Sequence, residues 1–259
     1  MQFHVLGPLQ VVTGGKSIPL GGVKQRATLG FLLLHRNQLV PVSRLLVALW
    51  PGPVPATARQ ILHNAIHRLR TILATAGKPG SVDLLTHNSG YVLQVGEDRV
   101  DITRFEALAR RGRIEMAEGR WHVASETFRE ALGCWRGPAL ADLVEEGMSW
   151  PELKALQNTR MSLLEKRIDV DLVLRRHDEV IAELELLLET EPLRERVCAR
   201  LMRALYQSGR QADALNLYHR TRSALIDQAG LEPGPQLRDL ERAILNHDRG
   251  LLDNVLATP

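Results

Sequence analysis

With 259 residues, 44% of them hydrophobic and 24% charged, the chain has the composition of a globular protein and the length of about two domains. No apolar run reaches the roughly 20 residues that span a bilayer, and the N-terminus lacks the features of a secretory signal, so we expect a cytoplasmic protein without membrane contact. Cys134 and Cys198 are isolated in the sequence, which predicts two reduced, buried thiols.

Positive charge is concentrated in the first part of the chain. Residues 1–100 contain ten Lys and Arg against three Asp and Glu, a balance of +7, whereas the remainder has a balance of −4. A basic first domain and a mildly acidic second domain indicate that only the first meets a polyanion.

The chain begins with short apolar segments at residues 3–7, 9–12 and 17–20, which predict a small antiparallel meander. Residues 14–17 read Gly-Gly-Lys-Ser and resemble the end of a phosphate-binding loop, but that motif requires glycine where this chain has Gln10. We therefore interpret the two glycines as a hairpin turn.

Two helices are predicted next. Residues 23–35 form a largely buried helix, and residues 40–42 form an extended link. Ser43 is the predicted N-cap of the second helix, which contains Trp50 and ends at a Pro-Gly-Pro sequence.

The third predicted helix, residues 55–77, has two different faces. Its apolar residues recur at helical spacing and form one stripe, made of Ala58, Ile61, Leu62, Ala65, Ile66, Leu69, Ile72 and Leu73. The opposite face holds Gln60, His63, Asn64, His67 and Thr71, flanked by Arg59 and Arg70. That face has no acidic residue, and its groups are those that read base edges and phosphates in a major groove. A solvated face that happens to lack acids is the alternative.

A hairpin follows the third helix. Residues 82–86 and 91–95 are β-like, and the turn between them contains His87, Asn88, Ser89 and Gly90. The order of strands, three helices and a hairpin predicts a winged helix-turn-helix, with the third helix in the major groove and the hairpin as the wing.

The remainder of the chain is predicted to be helical. The expected helices are residues 103–118, 120–134, 149–175, 177–189, 193–208, 210–228 and 235–247. A glycine is twice followed by a small residue five positions later and an aromatic residue four positions after that, in Gly119, Ala124 and Phe128 and in Gly209, Ala214 and Tyr218. This pattern is typical of tetratricopeptide (TPR) repeats, and a degenerate third copy is assigned to Arg176 and Ile181. A plain helical bundle is the alternative.

No catalytic set or metal site is predicted. His63 and His67 have the spacing of a zinc-protease helix, but Asn64 replaces the general base and no third ligand is evident. No nucleophile, base and orienting residue can be combined, so we expect a protein that is not an enzyme and needs no cofactor.

These features together resemble the Streptomyces antibiotic regulatory protein family of transcriptional activators. The N-terminal half carries FHVLGPL, KQRA, LLVALWP, RLR at the end of the third helix, and GYVL in the wing. The C-terminal half carries VDITRFE, ALGCWRGPAL, EPLRERV, LMRALYQSGRQADALNLYHRTRSAL and GLEPGPQLRDLERAIL, similar to the family's bacterial transcriptional activation domain. The order and spacing of these motifs make the resemblance specific.

The resemblance implies a mainly α protein with a small β component. Residues 1–97 would form an OmpR-type winged helix-turn-helix, residues 98–250 an all-helical TPR-like activation domain, and residues 251–259 a tail. It also implies the small, pathway-specific form of activator, which binds tandem direct repeats in promoter DNA, self-associates there and recruits RNA polymerase holoenzyme, including its sigma factor, to an antibiotic biosynthesis cluster.

The residues that the resemblance assigns to DNA are Lys24, Arg26, Arg44, Arg59, Gln60, His63, Asn64, His67, Arg70, Thr71, His87 and Asn88. Lys24 and Arg26 would hold phosphate at a helix N-terminus, and His87 and Asn88 would form the wing tip. Residues 51–55 lack the acidic pair that relatives carry in this loop, which leaves its polymerase contacts open. Two other functions stay open: a helical-repeat adaptor whose winged helix binds protein, and a ligand-gated repressor.

Overall fold

The computed structural model of the chain describes residues 1–76, 82–248 and 250. The predicted tail at residues 251–259 and the Gly-Lys-Pro-Gly sequence after the third helix therefore lie outside the described residues. Contacts divide the chain into two compact units, Met1–Arg111 with Thr127–Met161, and Gly112–Glu126 with Ser162–Pro259. Most of residues 98–161, predicted as part of the second domain, thus belong to the same unit as the winged helix.

Within the described residues the strands form two three-stranded antiparallel sheets, β1-β2-β3 and β4-β6-β5. The strands are β1 (Gln2–His4), β2 (Gln10–Thr13), β3 (Lys16–Ser17), β4 (Val40–Pro41), β5 (Val82–His87) and β6 (Gly90–Val95). The first sheet is the predicted meander. Gly14 and Gly15 connect β2 to β3 with φ of +57° and +77°, the left-handed conformation that a tight hairpin turn requires at both positions.

The helices lie close to the predicted positions. They are α1 (Val23–Leu34), α2 (Val42–Leu49), α3 (Ala58–Ala76), α4 (Asp101–Ala117), α5 (Trp121–Leu132), α6 (Ala141–Glu145), α7 (Pro151–Val173), α8 (His177–Thr190), α9 (Glu195–Gln207), α10 (Gln211–Ala229) and α11 (Pro235–Leu245). The short helix α6 was not predicted. Within the described residues no helix is both long and apolar enough to cross a bilayer.

The predicted cap of the second helix is wrong. Helix α2 begins at Val42, its N-cap is Pro41, and no side chain caps it, so Ser43 lies inside the first turn. The Val42 N–H instead donates to the carbonyl oxygen of Ser89 in the wing turn, at 2.9 Å. A tertiary contact thus satisfies one of the free N–H groups that a capping side chain serves in other helices.

The wing is held against β4 by a close backbone approach. Pro41 pairs with Gly90, and a Cβ atom on Gly90 would collide with the carbonyl oxygen of Val40. Glycine is therefore required at this end of β6, because any side chain would push the wing away from the helix-turn-helix.

Acidic residues of the later chain bind the backbone of the first sheet region. The Asp101 carboxylate accepts hydrogen bonds from Val5 N at 2.9 Å and Leu6 N at 3.0 Å, and Asp142 accepts one from Leu9 N at 2.8 Å. Burial raises the pKa of Asp101, and the two backbone N–H groups oppose that shift. These bonds explain why α6 and the start of α4 are part of the first unit.

The second unit has its own apolar core between α7, α8, α9, α10 and α11. Its fully or almost fully buried members include Leu172, Val180, Leu201, Ala214 and Ile244. Cys198 also lies there, with its thiol 3.2 Å from the Thr221 hydroxyl, and burial raises the pKa of this thiol to about 11. Both cysteines are free, but Cys134 is only half-buried, contrary to the prediction.

The repeated turns correct the predicted register of the third repeat. Gly119, Arg175 and Gly209 all have a left-handed φ, of +72°, +60° and +78°. The turn residue of the third repeat is therefore Arg175 and not Arg176. Five residues later lies Val180, which takes the position of Ala124 and Ala214 that we assigned to Ile181. The prediction was one residue out because no glycine marks this turn.

A buried ionic network connects α5, α7 and α8 in the second unit. The fully buried Asp171 accepts hydrogen bonds from Ser125 Oγ at 2.6 Å, Arg167 Nη1 at 2.8 Å and Arg176 Nη1 at 3.3 Å. Arg167, which is 5% exposed, also pairs with Glu183. This polar cluster was not predicted, because its members are dispersed along the chain and form no sequence motif.

Candidate nucleic-acid interface

Helix α3 buries its apolar stripe and exposes the opposite face. The buried residues are Ala58, Leu62, Ala65, Ile66, Leu69 and Leu73. All seven side chains of the predicted DNA face are exposed, namely Arg59, Gln60, His63, Asn64, His67, Arg70 and Thr71. An α-helix has 3.6 residues per turn, so apolar residues that recur at this period fall on one side. That side packs against the domain, and the opposite side is exposed to solvent.

The exposed face is wider than the sequence analysis predicted. Ile61, which we placed in the apolar stripe, is 37% exposed, and Ile72 is half-buried. Arg68 is also exposed, and it makes no hydrogen bond or ion pair within the described part of the chain. Arg68 was not among the predicted DNA-binding residues, although its position one turn after Asn64 places it on the same side.

Several polar groups of the face are engaged within α3 or near it. The Gln60 amide donates to the Asn64 side-chain oxygen at 3.1 Å, and the Thr71 hydroxyl donates to the His67 carbonyl at 3.2 Å. The His63 ring stands edge-on to Tyr91 of β6, with 6.5 Å between ring centroids. Gln60 and Asn64 thus present one connected amide pair to solvent, a group able to donate and accept at a base edge.

Arg70 holds the wing against α3. Its Nε donates to the Leu84 carbonyl at 2.8 Å, and its Nη2 donates to the Thr86 hydroxyl at 2.6 Å, both in β5. Arg59 has no such partner among the described residues. The two arginines that flank the predicted face therefore differ: Arg70 positions the wing, and Arg59 remains available to a ligand.

We expect Arg70→Ala to lower the free energy of unfolding by about 1–2 kcal/mol, because two hydrogen bonds from a charged donor to β5 are lost. Arg59→Ala is the matched control and should change stability by no more than about 0.5 kcal/mol. Urea unfolding of both variants measures these changes in the free energy of unfolding. Equal losses in the two variants would show that the contact with β5 does not stabilise the fold.

The three other predicted cations have partners inside the first unit. The Lys24 ammonium donates to the Leu49 carbonyl oxygen and lies 4.8 Å from the Trp50 ring centroid, and burial lowers its pKa. Arg26 pairs with Asp142 at 3.2 Å, and Arg44 pairs with Glu152 at 2.8 Å. Arg26 and Arg44 are thus neutralised by carboxylates, and Lys24 is engaged by uncharged groups, all of which a duplex would have to replace.

A pocket of about 350 Å³ lies between the start of α1 and the face of α3. Its lining comprises Gly22, Val23, Lys24, Gln25, Ile61, Asn64, Ala65 and Arg68. No side chain caps the N-terminus of α1, and the first N–H groups of a helix have no acceptor within it. The uncapped first turn of α1 and Arg68 therefore line one concave place, an arrangement that favours an anion.

The wing tip is accessible. His87, Asn88 and Ser89 are exposed, and the side chains of His87 and Asn88 make no bond within the described residues. The backbone of the tip is nevertheless fixed, because Ser89 accepts the N–H of Val42 from α2. Among the described residues no group of three His, Cys, Asp or Glu side chains could hold a metal, so His63 and His67 have no third ligand there.

Comparison with known proteins supports the resemblance. Residues 100–245 match the family described as the bacterial transcriptional activator domain. The regulatory protein DnrI of Streptomyces peucetius is 35% identical over 257 residues, which cover 97% of this chain and 94% of DnrI. The chain belongs to the Streptomyces antibiotic regulatory protein family. The relatives of this chain are named as regulatory proteins, and several of them as transcriptional regulatory proteins.

Longer family members share the same two-domain segment. EmbR of Mycobacterium tuberculosis is 38% identical over 245 residues, covering 95% of this chain and 63% of EmbR. The chain therefore spans just under two thirds of the length of that relative. The solved structure of M. tuberculosis EmbR in complex with a low-affinity phosphopeptide matches with a TM-score of 0.88 and 35% identity, over 98% of this chain and 68% of that chain. The predicted mainly α fold with an N-terminal winged helix is confirmed.

Proposed function

We propose that this protein is a transcriptional regulator, and specifically a sequence-specific DNA-binding activator that inserts α3 into the major groove of promoter DNA. The observation that supports it most directly is the exposed, acid-free side of α3, where the Gln60 and Asn64 amides lie between Arg59 and Arg68, two arginines without partners among the described residues. His63 and His67 add two further groups that can donate or accept at base edges. Each good base contact contributes roughly 1–3 kcal/mol of discrimination.

Phosphate contacts surround this reading face. Arg59 and Arg68 are free of partners within the described residues, and Arg68 lies beside the uncapped start of α1. One strand of the duplex would place a phosphate in that pocket, while His87 and Asn88 at the wing tip meet the backbone on the other side. Arg70 and Thr71 contribute to DNA binding indirectly, by fixing the shape of this surface, because their side chains already donate hydrogen bonds within the domain.

We also propose phosphate contacts for Lys24, Arg26 and Arg44, on the condition that each first releases its present partner. Arg26 and Arg44 would exchange Asp142 and Glu152 for phosphate oxygens, and Lys24 would exchange the Leu49 carbonyl. Such exchanges gain less than contacts from unpaired cations, because an existing ion pair or hydrogen bond is lost. We therefore expect these three to matter less for affinity than Arg59 and Arg68.

The helical part acts after DNA is bound. We propose residues 1–97 as the DNA-binding domain and residues 98–250 as the activation domain, which associates with a second subunit on a tandem direct repeat and recruits RNA polymerase with its sigma factor. Adjacent subunits one helical turn apart are expected for this class of DNA-binding fold. The relatives DnrI and AfsR are consistent with control of an antibiotic biosynthesis cluster.

Affinity for DNA as a function of salt tests the proposal. Fluorescence anisotropy with a duplex from a neighbouring promoter, located by footprinting, should give a steep fall in affinity between low and physiological salt. Asn64→Ala should reduce the ratio of specific to random DNA affinity by about tenfold or more, with unfolding unchanged. A flat salt response, or unaltered discrimination in Asn64→Ala, would contradict an α3 interface.

Transcription from that promoter with purified polymerase distinguishes an activator from a repressor on the same DNA. Increased transcript with added protein supports the proposal. Decreased transcript at equal occupancy would assign repression to this chain instead.

A further inference from the structure

The second unit contains a pocket that the proposed function does not use. It has a volume of about 470 Å³ and lies among α8, α9 and α10. Its lining comprises Glu185, Leu188, Glu189, Pro192, Leu201, Leu217, Arg220, Thr221 and Ala224. This volume falls within the roughly 300–1,000 Å³ of small-molecule sites, and an apolar surface with a few polar groups is the usual lining of such sites.

The charged groups at this pocket are unpaired. Glu185, Glu189 and Arg220 are exposed, and none of them forms an ion pair or hydrogen bond in the part of the chain that the structure describes. Glu185 and Glu189 lie one turn apart on α8, so their like charges repel each other. A cation placed between the two carboxylates would remove that repulsion and gain two charge-assisted hydrogen bonds.

The other side of the pocket suits an aromatic ring. Arg220 of α10 offers a planar guanidinium that can stack on a ring face. Leu201 and Leu217 supply apolar surface, to which Leu188 adds from α8. Thr221 offers little polarity because its hydroxyl is 3.2 Å from the Cys198 thiol within the core. A ligand therefore needs an apolar aromatic body on this side and a positive charge toward α8.

We infer that this pocket binds a small aromatic molecule that carries a protonated alkyl amine, with the amine between Glu185 and Glu189 and the ring against Arg220 and the leucines. Neither the family match nor the relatives assign such a site. The inference does not depend on DNA binding, so it can fail while the proposed function holds, and the reverse is also true.

Titration of the full chain with 2-(1-naphthyl)ethylamine, followed by naphthalene fluorescence anisotropy, tests the inference. The matched neutral probe is 2-(1-naphthyl)ethanol. We expect saturable binding of the amine that is about tenfold tighter than that of the alcohol, because only the amine donates charged hydrogen bonds. Equal affinity for the two probes, or no saturable binding of either, overturns the inference.

Four variants locate the site. The double variant Glu185→Gln and Glu189→Gln should lower the affinity for the amine by about tenfold and leave the affinity for the alcohol unchanged. Arg220→Ala should lower the affinity for both probes. Ala224→Phe should fill the pocket and abolish binding. Asp227→Asn, which removes an exposed carboxylate of α10 that does not line the pocket, is the control and should bind both probes normally.

Circular dichroism and thermal unfolding confirm that each variant is folded before it is titrated. If Asp227→Asn lowers the affinity for the amine as much as the double Gln variant does, the binding is non-specific attraction to an acidic surface and the inference is wrong. It is also wrong if a basic amphipathic peptide binds in an Ala224-dependent manner while the naphthyl amine does not, because the site would then be a peptide groove.

Discussion

Asp171→Ala is expected to destabilise the protein by about 3–5 kcal/mol, the largest effect of any single substitution considered for this chain. The change leaves Arg167, which is 5% exposed, without the carboxylate that faces its Nη1 at 2.8 Å. It also removes the acceptor of the Ser125 hydroxyl. Arg167 would keep only its pair with Glu183, so one end of a buried guanidinium would have no acceptor, and α5, α7 and α8 would lose a shared anchor.

Chemical denaturation measures this loss, and two further variants separate its causes. Asp171→Asn retains the shape but not the charge, so we expect a smaller loss than with alanine. Asp213→Ala removes the half-exposed partner of Arg210, at 2.7 Å, and should change stability by less than about 1 kcal/mol. If Asp171→Ala is no more destabilising than Asp213→Ala, the buried network does not stabilise the second unit.

The double variant Arg59→Ala and Arg68→Ala should produce the largest loss of DNA affinity. Two unpaired cations on the exposed side of α3 are removed, and each phosphate contact adds about one unit to the salt dependence of binding. The slope of log affinity against log salt should therefore fall by about 2, and affinity at 0.1 M salt by about 50-fold. Specific and random DNA should be affected alike, because phosphates carry no sequence information.

Arg110→Ala with Arg113→Ala is the matched control, since it removes the same charge from two exposed arginines of α4. We expect its salt slope to stay within about 0.5 of the parent protein, because these positions lie outside the proposed interface. An unchanged slope in the Arg59 and Arg68 variant, or the same loss in the control, would show that phosphates are held elsewhere.

The reading face of α3 could be predicted because it depends on periodicity within one helix. Residues three and four apart share a side whatever the rest of the chain does, so the stripe that includes Leu62 and Leu69 determines which polar residues are exposed. Ile61 was misplaced because it lies at the border of the stripe, where neighbouring elements decide how much is covered. Arg68, seven residues after Ile61, lies at the same border and was missed there, and both residues line the pocket beside α1.

The roles of single cations could not be predicted in this way. The partner of Arg26 is Asp142, 116 residues later, and the partner of Arg44 is Glu152, 108 residues later. Nothing near Arg70 in the sequence shows that it bonds to β5 and not to a ligand. The register of the third repeat failed similarly, because Arg175 adopts a left-handed conformation without a glycine to mark it.

The amino-acid sequence by itself determined the helices and strands, the winged helix-turn-helix, the helical remainder and the family, because these follow from local periodicity, turn residues and motif order. Only the tertiary structure decided which charged groups are paired. That choice depends on residues distant along the chain coming within hydrogen-bond reach. In the part of the chain that the structure describes, Arg59 and Arg68 have no partners at the predicted DNA face, while Arg26 and Arg44 pair with acids within their own unit.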